Sequence, residues 1–209
     1  NVLRTVLSGF TVALGLYIFI VLFGIGKGLQ NAFQEGFTRD AQNLISIFTG
    51  KTTIAYEGLQ ADRQVTLNNS DYNAIVDAHP EKVQYSTPRY STNLNVKYGK
   101  ESGFYQISGA NDEEVKIENR QLLNGRFISP KDIDEKQNVA VIGRMVQRDL
   151  IKNGDPVGKE LEINGSVFKV IGVFSDDGGD WYERMISIPI STLQQMKKGS
   201  DTVSTVYIA

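Results

Sequence analysis

The 209-residue chain has no cysteine, which excludes a disulfide framework, a cysteine-ligated zinc site and a thiol nucleophile. The same absence leaves the compartment open, because disulfide-free proteins occur on both sides of a bacterial membrane. There is one histidine, His79, so a histidine-rich metal centre has no material and a histidine-dependent triad is disfavoured. An excess of either charge is missing as well: 22 basic and 24 acidic residues leave a net charge of -2. A nucleic-acid-binding domain ordinarily carries a basic excess, so that function class falls away. No internal repeat or low-complexity segment interrupts the chain.

What is present is unevenly distributed. Arg4 and Lys27 are the only charged residues among the first 34, and 22 uncharged residues separate them, from Thr5 to Gly26. At about 1.5 Å per residue this run covers roughly 33 Å as a helix, against about 30 Å of bilayer hydrocarbon. A cleavable signal peptide is the rival reading. Its apolar region is shorter and ends at a small-x-small site, whereas Gly-Lys-Gly-Leu-Gln follows here. Residues 1–27 are therefore read as a transmembrane helix. Glycines 9, 15, 24 and 26 are tolerated in such helices. Arg4 points to a cytoplasmic N-terminus, although Lys27 at the other end balances it.

Leu29, Phe33, Phe37, Ala41 and Leu44 continue at helical spacing and predict a stalk helix over residues 28–43, its apolar stripe packed on a partner. Gly36 is a candidate bend. The alternative is an ordinary amphipathic helix folded onto the body.

The body reads as mixed α/β. Strands are expected over 44–56, 83–90, 159–163, 167–174, 185–190 and 203–208. Asn93 to Tyr98 alternates, placing Leu94, Val96 and Tyr98 on one face, and pairs with 104–108 through a turn at 99–103. Val139 to Ile142 is continuously apolar and predicts a strand buried on both faces. Helices are expected over 71–78 with Ser70 as cap, over 144–152 with Met145, Val146, Leu150 and Ile151 inward, and over 191–198 with Ser191 as cap. Asn164-Gly165 between two β-type runs predicts a two-residue hairpin turn.

Several motifs approach chemistry without reaching it. Gly154 to Glu160 is one residue short of a phosphate-binding loop and has Glu160 where a magnesium-holding hydroxyl is needed. Asp176-Asp177-Gly-Gly-Asp180 lacks the ligand spacing of a calcium loop and reads as an exposed acidic turn. The acidic pairs Glu113-Glu114 and Asp132/Asp134 read as solvated faces. Trp181 and Tyr182, in a glycine-rich loop, are a candidate partner contact; alternatively one ring covers the end of the β unit. No catalytic, cofactor-binding or metal-binding residue is assigned, and no cofactor is expected.

From Asn124 to Met196 the chain resembles the extracytoplasmic core domain of the MacB/FtsX family of ABC-transporter permeases. The resemblance rests on Gly125-Arg126-Phe127, Asn138 to Gly143, Asp155-Pro-Val-Gly-Lys159, Phe168 to Val173 and Ile188-Pro-Ile-Ser191. Leu3-Arg4-Thr5, the apolar span and Gly28-Leu29 resemble the family's first membrane helix and the start of its stalk. The resemblance implies an α+β fold: a transmembrane and stalk helix, then a mixed α/β porter-like part (44–122 and 200–209) and a β-rich part (123–199). It also implies a permease without catalytic activity of its own, in a bacterial inner membrane. Residues 28–209 would lie outside the cytoplasm, with a cytoplasmic ABC ATPase and a second permease copy as partners. A periplasmic adaptor or envelope protein stays open as a further partner. Ending at Ala209 before a second span, the chain is expected to be a fragment of such a permease. The competing reading is a single-pass anchored binding or adaptor domain.

Overall fold

A computed structural model describes residues 2–38, 44–152 and 154–209. The chain divides into two units, the N-terminal helix and the domain from residue 40 onward. The helix, α1 (Val2–Thr38), is one unbroken 37-residue element, and Gly36 does not interrupt it. Its residues from Val2 to Gln30 are exposed, and it is the one helix among the described residues long and apolar enough to cross a membrane. The polar groups in its first turns are satisfied internally: Ser8 Oγ donates to the Arg4 carbonyl and Thr11 Oγ1 to that of Ser8, both at 2.9 Å. Such back-bonding is what a hydrocarbon environment demands.

The domain contains β1 (Ile45–Phe48), β2 (Leu67–Asn68), α2 (Asn69–Ala78), β3 (Ser86–Tyr98), β4 (Glu101–Ala110), α3 (Glu114–Ile117), β5 (Gln121–Gly125), α4 (Pro130–Asp134) and β6 (Val139–Gly143). There follow α5 (Arg144–Val146), β7 (Glu160–Ile163), β8 (Ser166–Ser175), β9 (Met185–Pro189), α6 (Ile190–Met196), β10 (Thr202–Val203) and β11 (Thr205–Ile208). The main sheet runs β1-β11-β3-β4-β9-β6-β8-β5, and β7 pairs with both β3 and β8. Strands β3, β4, β9, β6, β8 and β7 therefore close on themselves as a ring. The pairs β4–β9 and β6–β8 are parallel; the other pairings in the sheet are antiparallel.

Alternation explains what fills the ring. Val96, Ile107, Ile142, Leu161, Ile163, Phe168, Ile186 and Ile188 point inward and are fully buried, with Leu94 and Tyr98 packed beside them. All five residues of β6 are buried, as its continuous apolar run requires. Val146, Leu150, Ile151 and Leu193 join this core from α5, the turn after it and α6. A second cluster on the outer face of the sheet comprises Ile128, Val139, Val141, Ile171, Phe174 and Met185, covered by Phe127, Ile133 and Tyr182. A third joins α2 to the β1–β11 end through Val203, Val206, Tyr72 and Ile47.

Local chemistry sets the turns. Asn164 and Gly165 both have positive φ, 49° and 85°, and connect β7 to β8 as a two-residue turn. Gly125 has φ 79°, and a Cβ there would lie 2.1 Å from the Ile171 carbonyl oxygen, so only glycine lets β5 approach β8 so closely.

Several expectations are corrected. The cap of α2 is Asn68, not Ser70: Asn68 Oδ1 accepts from Asp71 N at 3.0 Å while Asp71 Oδ2 accepts from Asn68 N at 2.9 Å. Ser191 lies inside α6, where its hydroxyl donates to the Ile133 carbonyl at 2.5 Å. The helix expected over 144–152 is one α turn followed by a π turn, Gln147–Ile151, which still turns the four apolar residues inward. Only Ile45–Phe48 of the strand expected over 44–56 joins the main sheet. Beyond it residues 49–65 fold back as an exposed arm, bonded from Thr52 N to the Arg63 carbonyl and from Val65 N to that of Gly50.

Candidate functional sites

Trp181 and Tyr182, adjacent in sequence, have different fates. Tyr182 is half-buried and lies over the outer apolar cluster, so it is the ring that covers the end of the β unit. Trp181 is 71% exposed. It forms one wall of a recess of about 430 Å³ lined also by Asn93, Phe104, Tyr105, Gln106 and Arg184. Phe104, not singled out in the sequence, is 82% exposed on the same recess. Its strand position was legible, but nothing local says that the outward face of β4 stays uncovered there.

The stalk stripe is only partly described. Leu29 is 57% exposed on α1. The side chains of Phe33 and Phe37, and Ala41 altogether, lie outside the described residues. Leu44 is not helical; it is half-buried in extended chain leading to β1, because β-branched and aromatic residues follow it.

The largest departure concerns the acidic pairs. Glu114 is buried, not solvated, and is gripped from two sides. Arg89 Nη2 donates to its Oε1 at 2.7 Å and Arg120 Nη1 to its Oε2 at 3.0 Å, while the Ser108 and Ser187 hydroxyls lie 3.2 Å from Oε1 and Oε2. Both arginines also bind Glu118, Arg120 through Nη2 at 2.5 Å. Asp176 Oδ2 lies 3.8 Å from Arg120 Nε. Burial pushes the Glu114 carboxyl up, but the Arg120 and Arg89 guanidiniums outweigh it and hold the group below its ordinary range. Burial likewise pulls Arg89 down, and the opposing Glu114 and Glu118 charges more than reverse it. The guanidiniums stack at 4.6 Å over Tyr207 and Phe174 respectively. This arrangement is an ionic lock rather than an acid-base pair: the two guanidiniums hold the Glu114 carboxylate in its charged form.

Asp132 is buried too, capping α4 and bonded to Arg126. Of the three acids in the acidic turn, Asp177 and Asp180 are exposed, whereas Asp176 is buried and accepts from Gly178 N at 2.8 Å. In the loop at 154–160, Asp155 Oδ1 accepts from Val157 N and from Asn124 Nδ2, both at 2.9 Å, so it fastens a turn to β5. His79 is exposed at the end of α2.

A sheet closed into a ring, preceded in sequence by one long apolar helix, defines an α+β domain with an apolar N-terminal helix. Residues 5–209 match the family described as the MacB-like periplasmic core domain, and the chain belongs to that family. It is 23% identical over 211 residues to the macrolide export ATP-binding/permease protein MacB of Chlorobium phaeobacteroides, covering 100% of this chain and 32% of that protein. The corresponding protein of Haemophilus ducreyi is 26% identical over 194 residues, 91% of this chain and 27% of its own. The chain thus spans about a third of the curated relatives it matches. In fold it is similar to the periplasmic region of MacB from Actinobacillus actinomycetemcomitans, with a TM-score of 0.69 and 23% identity, over 83% of this chain and 77% of that one. It also resembles the extracellular domain of the ABC-type transporter YknZ from Gram-positive bacteria, with a TM-score of 0.65 and 17% identity, over 80% of this chain and 83% of that one.

Proposed function

We propose that the chain is the first membrane span and extracytoplasmic domain of an ABC-transporter permease, and that it passes ATP-driven motion outward mechanically. The observation that carries this reading is the continuity of α1 from Val2 to Thr38. Thirty-seven residues make a rod of about 56 Å, roughly 25 Å more than a bilayer core needs. A rigid helix transmits displacement, whereas a coil absorbs it. The domain begins its first strand at Ile45, so few residues separate rod and sheet in sequence.

On this reading ATP is hydrolysed by a cytoplasmic ABC ATPase, as a separate subunit or a fused domain, and the permease works as a dimer in the inner membrane. The work done is export or extraction of a substrate, or activation of an envelope partner. The names of the relatives, which join ATP binding and permease function to macrolide export, support the transporter class. The porter-like part is 44–122 with 200–209, and the β-rich part is 123–199. Strands of both parts close the one ring, β4 pairing with β9 and β3 with β7, and Arg120 Nη1 bonds Ser187 Oγ at 2.9 Å across the same division, which favours the two parts moving together.

The test is a Gly-Ser-Gly-Ser insertion after Gln34 in the complete permease with its ATPase. ATP hydrolysis and the folded domain are expected to persist while transport or partner activation is lost. Unchanged transport would sink the lever and leave α1 a simple anchor.

A further inference from the structure

We propose that the outer face of the β3–β4 hairpin binds an uncharged glycan of the N-acetylhexosamine type, in the recess between Phe104 and Trp181. This site is independent of the transport reading.

Register and alternation create the face. Asn93 pairs with Gln106 and Asn95 with Phe104, so these four side chains share the side of the sheet opposite Leu94, Val96 and Tyr105. Further along the same side, Ser108 and Ser187 lie under the Glu114 lock, and Met185 and Val141 under the outer apolar cluster. The cover stops at Tyr182. Beyond it Phe104 and Trp181 stand 82% and 71% exposed.

The lining has a consistent chemistry. Two aromatic walls offer π faces, which stack on the C–H face of a pyranose ring. The carboxamides of Asn93 and Gln106 each present donors and an acceptor together, which suits vicinal hydroxyls and an acetamido group. Neither carboxamide bonds another side chain among the described residues. The one charge in the lining, Arg184, is engaged by Asp149 at 2.5 Å. The recess thus sets two carboxamides beside two exposed aromatic rings, with its one guanidinium paired to a carboxylate. At about 430 Å³ its size suits a small ligand.

Trp181 is the only tryptophan, so it reports on its own site. The 209-residue chain, in a detergent without a sugar headgroup, would be titrated with chitotetraose and, in parallel, with cellotetraose. A saturable change in tryptophan emission is expected with chitotetraose and a weaker response with cellotetraose, which lacks the acetamido groups. Asn93→Ala with Gln106→Ala should weaken the chitotetraose response by about tenfold or more. Thermal unfolding checks the fold, and Asn93→Ala alone, at an exposed position, serves if the double variant unfolds. Absence of saturation up to about 10 mM, or wild-type binding by the amide variants, overturns the proposal. Emission that follows protein concentration and ignores both sugars also overturns it, and marks the face as a contact between copies.

Discussion

Arg126 clasps Asp132 in parallel, Nη1 to Oδ2 at 2.5 Å and Nη2 to Oδ1 at 2.9 Å, and the same carboxylate accepts from Ser129 N and Oγ at 2.8 and 2.6 Å. The Arg126 hydrogen bonds, with those from Ser129 against the opposing effect of burial, hold Asp132 down at about 2. A carboxyl lowered on folding stabilises the protein above its unfolded value near 3.9, and that contribution fades as pH falls toward about 2. Its size is at most about 2 kcal/mol, reduced because Arg126 is half exposed. Asp132→Asn should therefore be less stable than wild type at pH about 5, and the gap should narrow as pH falls to about 2. Urea midpoints for the two proteins across that range measure it; a pH-independent gap would contradict the assignment.

The lock around Glu114 makes a sharper claim about magnitude. Removing one partner from a buried ionic cluster strands the others and costs about 3–5 kcal/mol, a large fraction of an ordinary domain's stability. Glu114→Gln should approach that loss. The exposed pair Lys97–Glu162, 3.3 Å apart and nearly half exposed on both sides, is the comparison: Glu162→Gln should change stability by less than about 1 kcal/mol. Equal losses in the two variants would mean that Glu114 is not a linchpin.

These two sites show where reading the sequence stops. Leu94, Val96 and Tyr98 reveal their face through alternation, Val139 to Ile142 through continuity, and Asn164-Gly165 through the backbone its turn needs; each signal lies within a few residues. Glu114 owes its burial to Arg89, 25 positions earlier, and to Ser187, 73 later. Nothing near Glu113-Glu114 distinguishes it from a solvated pair, and α3 is only four residues long. Closure of the ring depends on Val96 meeting Ile163, a register that no local pattern encodes. Phe104 joined the candidate site for the same reason: it needed the knowledge of what leaves its face bare.

The turn at Asn164-Gly165 offers a local test of the closed ring. A β-branched residue at φ 85° is a steric outlier, so Gly165→Val should cost more than about 1 kcal/mol although a Cβ there meets nothing within 4 Å. The loss would be backbone strain without any clash. It should weaken the β7–β8 hairpin first and be visible as faster amide exchange in Ile163 and Ser166. An unchanged melting transition would mean that the turn relaxes without penalty.

Tyr182 and Trp181 separate structure from function at neighbouring positions. Tyr182 packs on the outer cluster beside Phe127 and Ile133, so Tyr182→Ala removes apolar cover and should destabilise by about 1–2 kcal/mol. Trp181, 71% exposed, gives up little on truncation, and Trp181→Ala should stay within about 0.5 kcal/mol of wild type. Thermal melts of the two variants make the comparison directly. If Trp181→Ala were as unstable as Tyr182→Ala, the indole would be part of the fold's cover, and any ligand lost with it would report unfolding. If the stabilities diverge as expected, the larger and more exposed ring is free of a packing role. Its position beside Phe104 then has to be explained by what binds there.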